Sequence, residues 1–569
     1  MATITAPGRL QTSTCANRYA GQQGCRLEGK FTCKDCFLVS YCGPVCQKAH
    51  WVDHKRDCKS PLSKSTWQPR WALEHRTPAF VGGSLQVSFG GRKFLWGNMP
   101  AFDLVNLGSN EGMYYTGHLK LLFGASGDLR NVVKTVAFLP EDFHGKVFVT
   151  LNNRDFTIVA RNIIMLLVIF TSQELNETVT SVIHLWYSAF IKDSHIGLLN
   201  DRVRPLVEAV CEKIGAKAPG STLGKTWMFG SRSLRVVLRK EEWLLLPSYL
   251  QVPHSWPKSR PQEIRTACTV AEERRDYRER RMLSQSPFHR LCIDKFRRDG
   301  ILMPFGSPRE EFSTPNPTIF EETGGWPMKD SADPFDGWDL GEILQVYHGP
   351  AKNDIYGKLH CFLTNTLSRF CGRVSKLETH FELLNVGAES LPDYLKDRTF
   401  SRIEVSNVSD AGYIGIAKTL QIFRRLLDSP HDNPHATLVT LFMNAVDETA
   451  NARQDVESVK AEMTQLMKYL PPSGVPLWNG DPGLMNTSLA RPLVRDAENL
   501  FDRYMETHRF KEAENHFDVK MKEPHTIIEK WPTRLKLRHG EQGWEDEFKT
   551  KHSSDHSGSE RYVEWKRID

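Results

Sequence analysis

Apolar positions along the chain cluster into short runs of strand length and longer stretches of helical period. In HLKLLFGASGDLRNVVKTVAFL an apolar strand over 119–123 meets a Gly-bearing turn at 124–127. Val132, Val133, Val136 and Leu139 then fall on one side of a helix. KVFVTLNNRDF gives a second strand ending at Asn152, followed by an apolar helix over 158–170. Far downstream, RIEVSNVSD and ATLVTLFMNAV each read as a short apolar strand closing on small polar residues, with helical AGYIGIAKTLQIFRRLL between them. Such βαβ punctuation predicts an α/β domain whose mostly parallel sheet is flanked by helices.

The same pattern divides the chain. A tail (1–14) precedes a Cys- and His-rich segment (15–58), and the Ser-, Pro- and charge-bearing stretch at 59–79 lacks a sustained period and reads as a linker. The α/β domain is expected in two parts, 80–192 and 396–470, around a long helical and loop insertion at 193–395. In that insertion EERRDYRERR alternates sign and reads as a solvated helix face. The run SPREEFSTPNPTIFEETGGWPMKDSADPFDGWD reads as a surface loop. An α-rich C-terminal region (471–540), with a helix at 493–504, and a polar, poorly ordered tail (541–569) complete the expectation.

Composition narrows the function classes. A net charge of +6 spread over 569 residues, with Lys and Arg interleaved among Asp and Glu, gives no field that calls for nucleic acid. The N-terminal residues lack an apolar signal segment, and the longest apolar run, 163–170, is far short of the ~20 residues a membrane span needs. An intracellular protein of the cytoplasm, the nucleus or both is therefore expected, and the sequons at Asn176 and Asn486 are chance matches. Seven of the twelve cysteines lie within 15–58, which points to metal. The other five, at 211, 268, 292, 361 and 371, read as small buried hydrophobes.

The clustered ligands are Cys15, Cys25, Cys33, Cys36, Cys42, Cys46, His54 and Cys58, enough for two tetrahedral zinc ions. Cys33 and Cys36 have the C-x2-C spacing of a zinc knuckle. From Pro44, suited to a first helical position, GPVCQKAHWVDHKRDC reads as a helix. His54 and Cys58, four residues apart, share a helix face and can reach the knuckle's metal, while Cys42 and Cys46 point at another. Tyr41-Cys42, Cys46-Gln47, Trp51, His54-Lys55 and Cys58 together resemble the MYND zinc finger. That resemblance implies cross-braced sites, Cys15/Cys25/Cys42/Cys46 and Cys33/Cys36/His54/Cys58, as a small folded adaptor. The family usually opens with C-x2-C, whereas here Arg18 holds the expected second position and the next thiol is Cys25. Widening that loop costs about 1 kcal/mol of closure entropy against roughly 10 kcal/mol or more from a structural zinc site, so Cys25 is retained. The resemblance also implies a groove for Pro-rich peptides of a protein partner at Ser40, Tyr41, Gln47 and Trp51, unless Trp51 merely packs the finger.

Ligands of open α/β sheets bind outside the carboxyl ends of the strands, where this chain places Gly124, Ser126, Gly127, Asp128, Asn152, Asn407 and Asp410. The layout resembles that of S-adenosylmethionine-dependent methyltransferases of Rossmann-like fold, which would make Gly124, Gly127, Asp128, Asn152, Asn407 and Asp410 cofactor-binding. Here G-x-x-G-D replaces G-x-G-x-G and Asn152 stands where an acidic residue is expected, so the alternative is a strand-to-helix turn capped by Asp128. Residues 80–190 also resemble the uncharacterised domain that fungal MYND proteins share with axonemal dynein assembly factors, with RIEVSNVSD and NPHATLVTLFMNAV extending the likeness. The leading expectation is a non-enzymatic zinc protein whose finger recruits a partner and whose body is a second platform. The alternative is a methyltransferase with a MYND recruitment module.

Overall fold

The computed structural model of the chain describes residues 13–18, 24–82, 88–252, 256–257, 259–320, 324–452, 456–471 and 478–569. Of the predicted tail 1–14, all but residues 13 and 14 lie outside these. In the Cys-rich segment a two-stranded ribbon, β1 (Phe31–Thr32) and β2 (Ser40–Tyr41), precedes helix α1 (Pro44–Cys58), which starts with Pro at its first position as predicted.

The body is built on β3 (Leu119–Phe123) and β4 (Val147–Asn152), joined by the helix Arg130–Ala137. A small ribbon pairs β5 (Phe190–Ile191) with a later β8 (Thr314–Pro315); between them come β6 (Thr222–Phe229) and β7 (Arg232–Arg239). The strands β9 (Thr379–Leu384), β10 (Arg402–Glu404), β11 (Thr437–Phe442), β12 (Val519–Met521) and β13 (Arg561–Arg567) complete the set. Nine of these form one mixed sheet in the order β12-β13-β11-β10-β3-β4-β9-β7-β6. The six from β11 to β7 are parallel, and β13 and β6 run antiparallel to their inner neighbours.

Helices cover both faces. Arg130–Ala137, Phe156–Thr171, Leu175–Tyr187 and Ile355–Lys376 bury their apolar sides in one core. Ile416–Phe423, Ala497–Thr507 and Phe510–Phe517 pack in a second core across the sheet. The chain winds outward from β3 through β4, then returns to the other side of β3 for β10 and β11. Between β3 and β10 the winding reverses, and in open α/β sheets the crevice for ligands lies outside the carboxyl ends at such a point.

Five expectations are corrected. The insertion 193–395 is not outside the sheet: it supplies β6, β7 and β9, whose apolar residues alternate with charges that a neighbouring strand satisfies, as Glu382 does for Arg235 at 3.1 Å. The linker at 59–79 is packed, with Trp71 fully buried and its indole N–H donating to the Gly480 carbonyl at 2.9 Å. The loop in 307–339 is core rather than surface at Ile319, Phe320, Trp326 and Trp338, all buried. The tail at 541–569 forms the helix Trp544–Ser553 and then β13, inserted between β11 and β12. Its charged residues misled because tertiary partners satisfy them: Glu564 accepts from the backbone N–H groups of Thr526, Ile527 and Ile528 at 2.8–3.0 Å. EERRDYRERR is helical over Arg275–Met282, yet Asp276 is buried and takes a two-pronged bond from Arg76 at 2.6 and 2.7 Å.

Candidate metal centre

The finger brings its eight ligands into two groups, Cys15/Cys25/Cys42/Cys46 and Cys33/Cys36/His54/Cys58, each with ligand atoms within 4.8 Å of one another. The cross-bracing arises locally. Cys33 and Cys36 sit in the turn between β1 and β2, where Phe37 takes φ 53° and its N–H donates to the Cys33 carbonyl at 2.9 Å. The backbone N–H of Leu38 reaches the Cys36 sulfur at 3.4 Å. Cys42 follows β2, Cys46 lies in the first turn of α1, and His54 and Cys58 stand one turn apart at its end. The wide loop after Cys15 is closed by backbone bonds from Cys15 N to Leu27 O (2.9 Å) and from Cys25 N to Asn17 O (2.8 Å). Cys25 therefore lies beside Cys42, sulfur to sulfur 3.7 Å.

These separations fit metal. Tetrahedral zinc with ~2.3 Å Zn–S bonds holds its sulfurs about 3.8 Å apart. The structure has Cys42 Sγ to Cys46 Sγ at 3.4 Å, Cys33 Sγ to Cys58 Sγ at 3.9 Å and Cys36 Sγ to His54 Nε2 at 3.3 Å. With protons on the sulfurs such crowding is costly: the Cys36 hydrogen bond holds Cys33 down at about 3, while that bond and burial push Cys36 far up. In the other group Cys46, hydrogen-bonded chiefly by Asn17, is lowered, and Cys42 is pushed up to about 12 first by Cys46. Zinc binds cysteine as thiolate, and a divalent cation offsets the repulsion of thiolates held this close together. All four ligands at each site come from protein, so the arrangement scaffolds and leaves no open position for a reacting molecule.

The four Cys33-site ligands are buried, whereas three of the Cys15 site are half-buried. Near them Tyr41 is fully buried, its hydroxyl 3.0 Å from His50 Nδ1, and Ser40 is buried too; Gln47 and Trp51 are half-buried. Of the four predicted groove residues, then, only Gln47 and Trp51 present side-chain surface. The finger, expected as a small folded adaptor, is docked on the body. Asn353 donates from Nδ2 to the Cys36 carbonyl (2.8 Å) and from its backbone N–H to Phe37 O (3.0 Å), and Leu38 and Val39 enter the body's core. Gly306 packs so close that a Cβ there would lie 2.9 Å from Ala16.

The strand-end residues also gather, around the crevice between β3 and β10. Gly124 donates to the Glu404 carbonyl at 2.7 Å and accepts from Asn152 Nδ2 at 2.9 Å; a Cβ on it would lie 2.7 Å from the Phe423 ring. The N–H of Ser126 bonds the Asn152 carbonyl (2.9 Å), and Asn162 Nδ2 bonds the Gly127 carbonyl (3.0 Å). Asp128 accepts from Gly97 N (2.8 Å), Trp186 Nε1 (3.2 Å) and Arg130 (2.7 Å). Asp410, pushed up to about 6 by burial, accepts from Met443 N (3.1 Å), Asn444 Nδ2 (3.0 Å) and Asn407 Nδ2 (3.3 Å). Residues 96–99 cross these strand ends, bonded through Gly97 to Asp128, through the Met99 carbonyl to Arg130 (2.8 Å) and through Asn98 to the Met443 sulfur (3.8 Å). Arg130, Trp186 and Glu404 also belong to this cluster; Trp186 and Glu404 meet partners far away in sequence that leave no local pattern, and Arg130 joins its neighbour Asp128 to the Met99 carbonyl.

Comparison with known proteins agrees with the finger. A family model described as ZMYND11/ZMYD8, MYND zinc finger, matches residues 23–58, and a domain of unknown function (DUF4470) matches 95–191. Cys15 lies before the matched stretch, and geometry alone adds it to its group. No curated protein and no solved structure matches the chain. No helix of the described residues is long and apolar enough to cross a membrane. Two cross-braced Cys/His tetrads on a ribbon and one helix fit two structural zinc ions, and this segment is a MYND-type zinc finger by its match over residues 23–58, set before a DUF4470 match over 95–191.

Proposed function

We propose that this is a non-enzymatic assembly or regulatory protein of the cell interior, in which the finger recruits a protein partner and the α/β body is a second binding platform. The observation that carries it is the closure of both zinc tetrads by protein ligands, which assigns the metal to scaffolding. The half-buried Gln47 and Trp51 on α1 supply a shallow surface for a Pro-rich segment, which arrives with little entropy left to lose. The crevice contacts favour a platform over a cofactor site: the Phe423 ring occupies the space beside Gly124, residues 96–99 are bonded to Asp128 and Arg130, and Asp128, Asn152 and Asp410 spend their polar atoms within the chain.

A second reading, a methyltransferase, draws on the sheet, whose parallel strands reverse their winding beside β3 as in Rossmann-like folds. Calorimetric titration of S-adenosylmethionine into zinc-loaded protein separates the two. No heat of binding at millimolar ligand is expected; saturable micromolar binding lost in Gly127→Arg would overturn the platform reading.

A further inference from the structure

Edges of a β-sheet carry unpaired N–H and C=O groups, and natural proteins blunt them with Pro, bulges, charges or short strands. The two edges of this sheet differ. β12, at one end, has three residues; β6, at the other, has eight, and among the described residues nothing pairs with its outer side. The β6–β7 register runs unbroken from Thr222↔Arg239 to Phe229↔Arg232, without a bulge, and β6 contains no proline. Because Phe229 and Arg232 flank a two-residue turn, they form an inward-bonded pair, and alternate residues from there bond inward as well. Thr222, Gly224, Thr226 and Met228 therefore direct their backbone N–H and C=O groups outward. All four are exposed, Met228 at 63%. Gly224 leaves the centre of that edge without a side chain.

Charge decides what the edge accepts. The hairpin carries Lys225, Arg232, Arg235 and Arg239 and no acidic residue. Arg235 and Arg239 are paired with Glu382 and Glu242, whereas Lys225 and Arg232 lie over the Trp227 and Phe170 rings with no carboxylate partner among the described residues. Beside the start of β6 an open cleft of about 290 Å³, lined by Thr222, Arg239, Asn385, Tyr394 and Arg154, adds an exposed cation, again without a carboxylate partner among the described residues. A second copy of the chain would bring like charges together.

We propose that the outer edge of β6 is a docking site for an extended acidic segment of a partner protein, which adds to the sheet as a further strand. Backbone pairing at Thr222, Gly224, Thr226 and Met228 supplies the affinity, and Lys225, Arg232 and Arg154 select acidic side chains. This deepens the platform reading of the body, but its test is separate: cofactor binding in the crevice would overturn that reading and leave the β6 edge untouched.

A random octapeptide display library is panned against the zinc-loaded full chain, and a recovered peptide is followed by amide hydrogen exchange. The expected sequences alternate acidic with β-branched residues, and binding slows exchange at Thr222, Gly224, Thr226 and Met228. Thr226→Pro removes an outward N–H without touching the β6–β7 ladder and weakens binding roughly tenfold or more. Reversing Lys225 and Arg232 to Glu weakens the same peptide comparably, and zinc content stays at two in both variants. Recovery of sequences without acidic enrichment, or binding unchanged by Thr226→Pro, overturns the proposal. So does protection of these amides that rises with protein concentration in the absence of peptide, which assigns the edge to a second copy.

Discussion

Individual side chains carry two separable properties of this protein: its zinc count and part of its response to pH. Cys25 is the ligand that the unusual opening spacing left least certain, and its sulfur lies 3.7 Å from that of Cys42. Cys25→Ser is expected to lower zinc from two to one per chain by elemental analysis, because the buried Cys33 group shares none of its ligands with the half-buried Cys15 group. Two zinc ions in that variant would exclude Cys25 as a ligand. Glu404 is fully buried beneath the crevice, where loss of water pushes its carboxyl from 4.5 up to about 7. A raised folded value means that its contribution to stability is full below pH 4.5 and is lost as pH rises through 7, when a charge must be held in the core. The shift corresponds to something on the order of 3 kcal/mol at most. Glu404→Gln keeps an oxygen for the Ser406 N–H at 2.6 Å, and its gain in melting temperature over the wild type should grow between pH 5.5 and 8.5. A constant difference across that range would show that Glu404 does not titrate there.

Among the elements, β13 shows most clearly how an unpromising segment becomes structural. RYVEWKR has two charges in its first four residues, yet residues 561–565 are buried on both faces because the strand is inserted between β11 and β12. Trp565 is fully buried and its indole N–H donates to Thr440 Oγ1 at 2.9 Å. Trp565→Ala is expected to cost about 3–5 kcal/mol in chemical denaturation. Removal of residues 557–569 should abolish cooperative unfolding, whereas a detachable tail would leave it unchanged. The strands β3, β4 and β11 were legible beforehand, since mostly apolar runs bounded by Gly or polar residues need little beyond their own neighbours to be recognised, and β10, Arg-Ile-Glu, was legible with the Val405 and small polar residues that follow it. By contrast β6, β7 and β9 were not, because each mixes charge with apolar residues and is defined by the strand beside it.

Across the whole molecule, finger, connecting stretch and body share packing that no single segment displays. The Cys36 and Phe37 carbonyls receive Asn353, Arg290 donates to the Leu62 carbonyl (3.0 Å) and the Lys64 carbonyl (2.7 Å), and Trp71 is bonded to Gly480. A zinc scaffold docked in this way presents its remaining face, with Val45 and Val52 each at least 80% exposed, in a fixed orientation to the sheet. Binding at the finger and at the β6 edge therefore belongs to one body. What the sequence determined by itself was the chemistry of residues 15–58 and the α/β character of the body. Metal ligands announce themselves through residue type and spacing within some forty positions, and buried parallel strands through apolar runs. The tertiary structure alone decided which nine strands share a sheet, that residues 96–99 close over the strand ends, that the finger is docked, and that one long edge is left open. Each of those follows from contacts between residues tens to hundreds of positions apart, which leave no periodic trace in the chain.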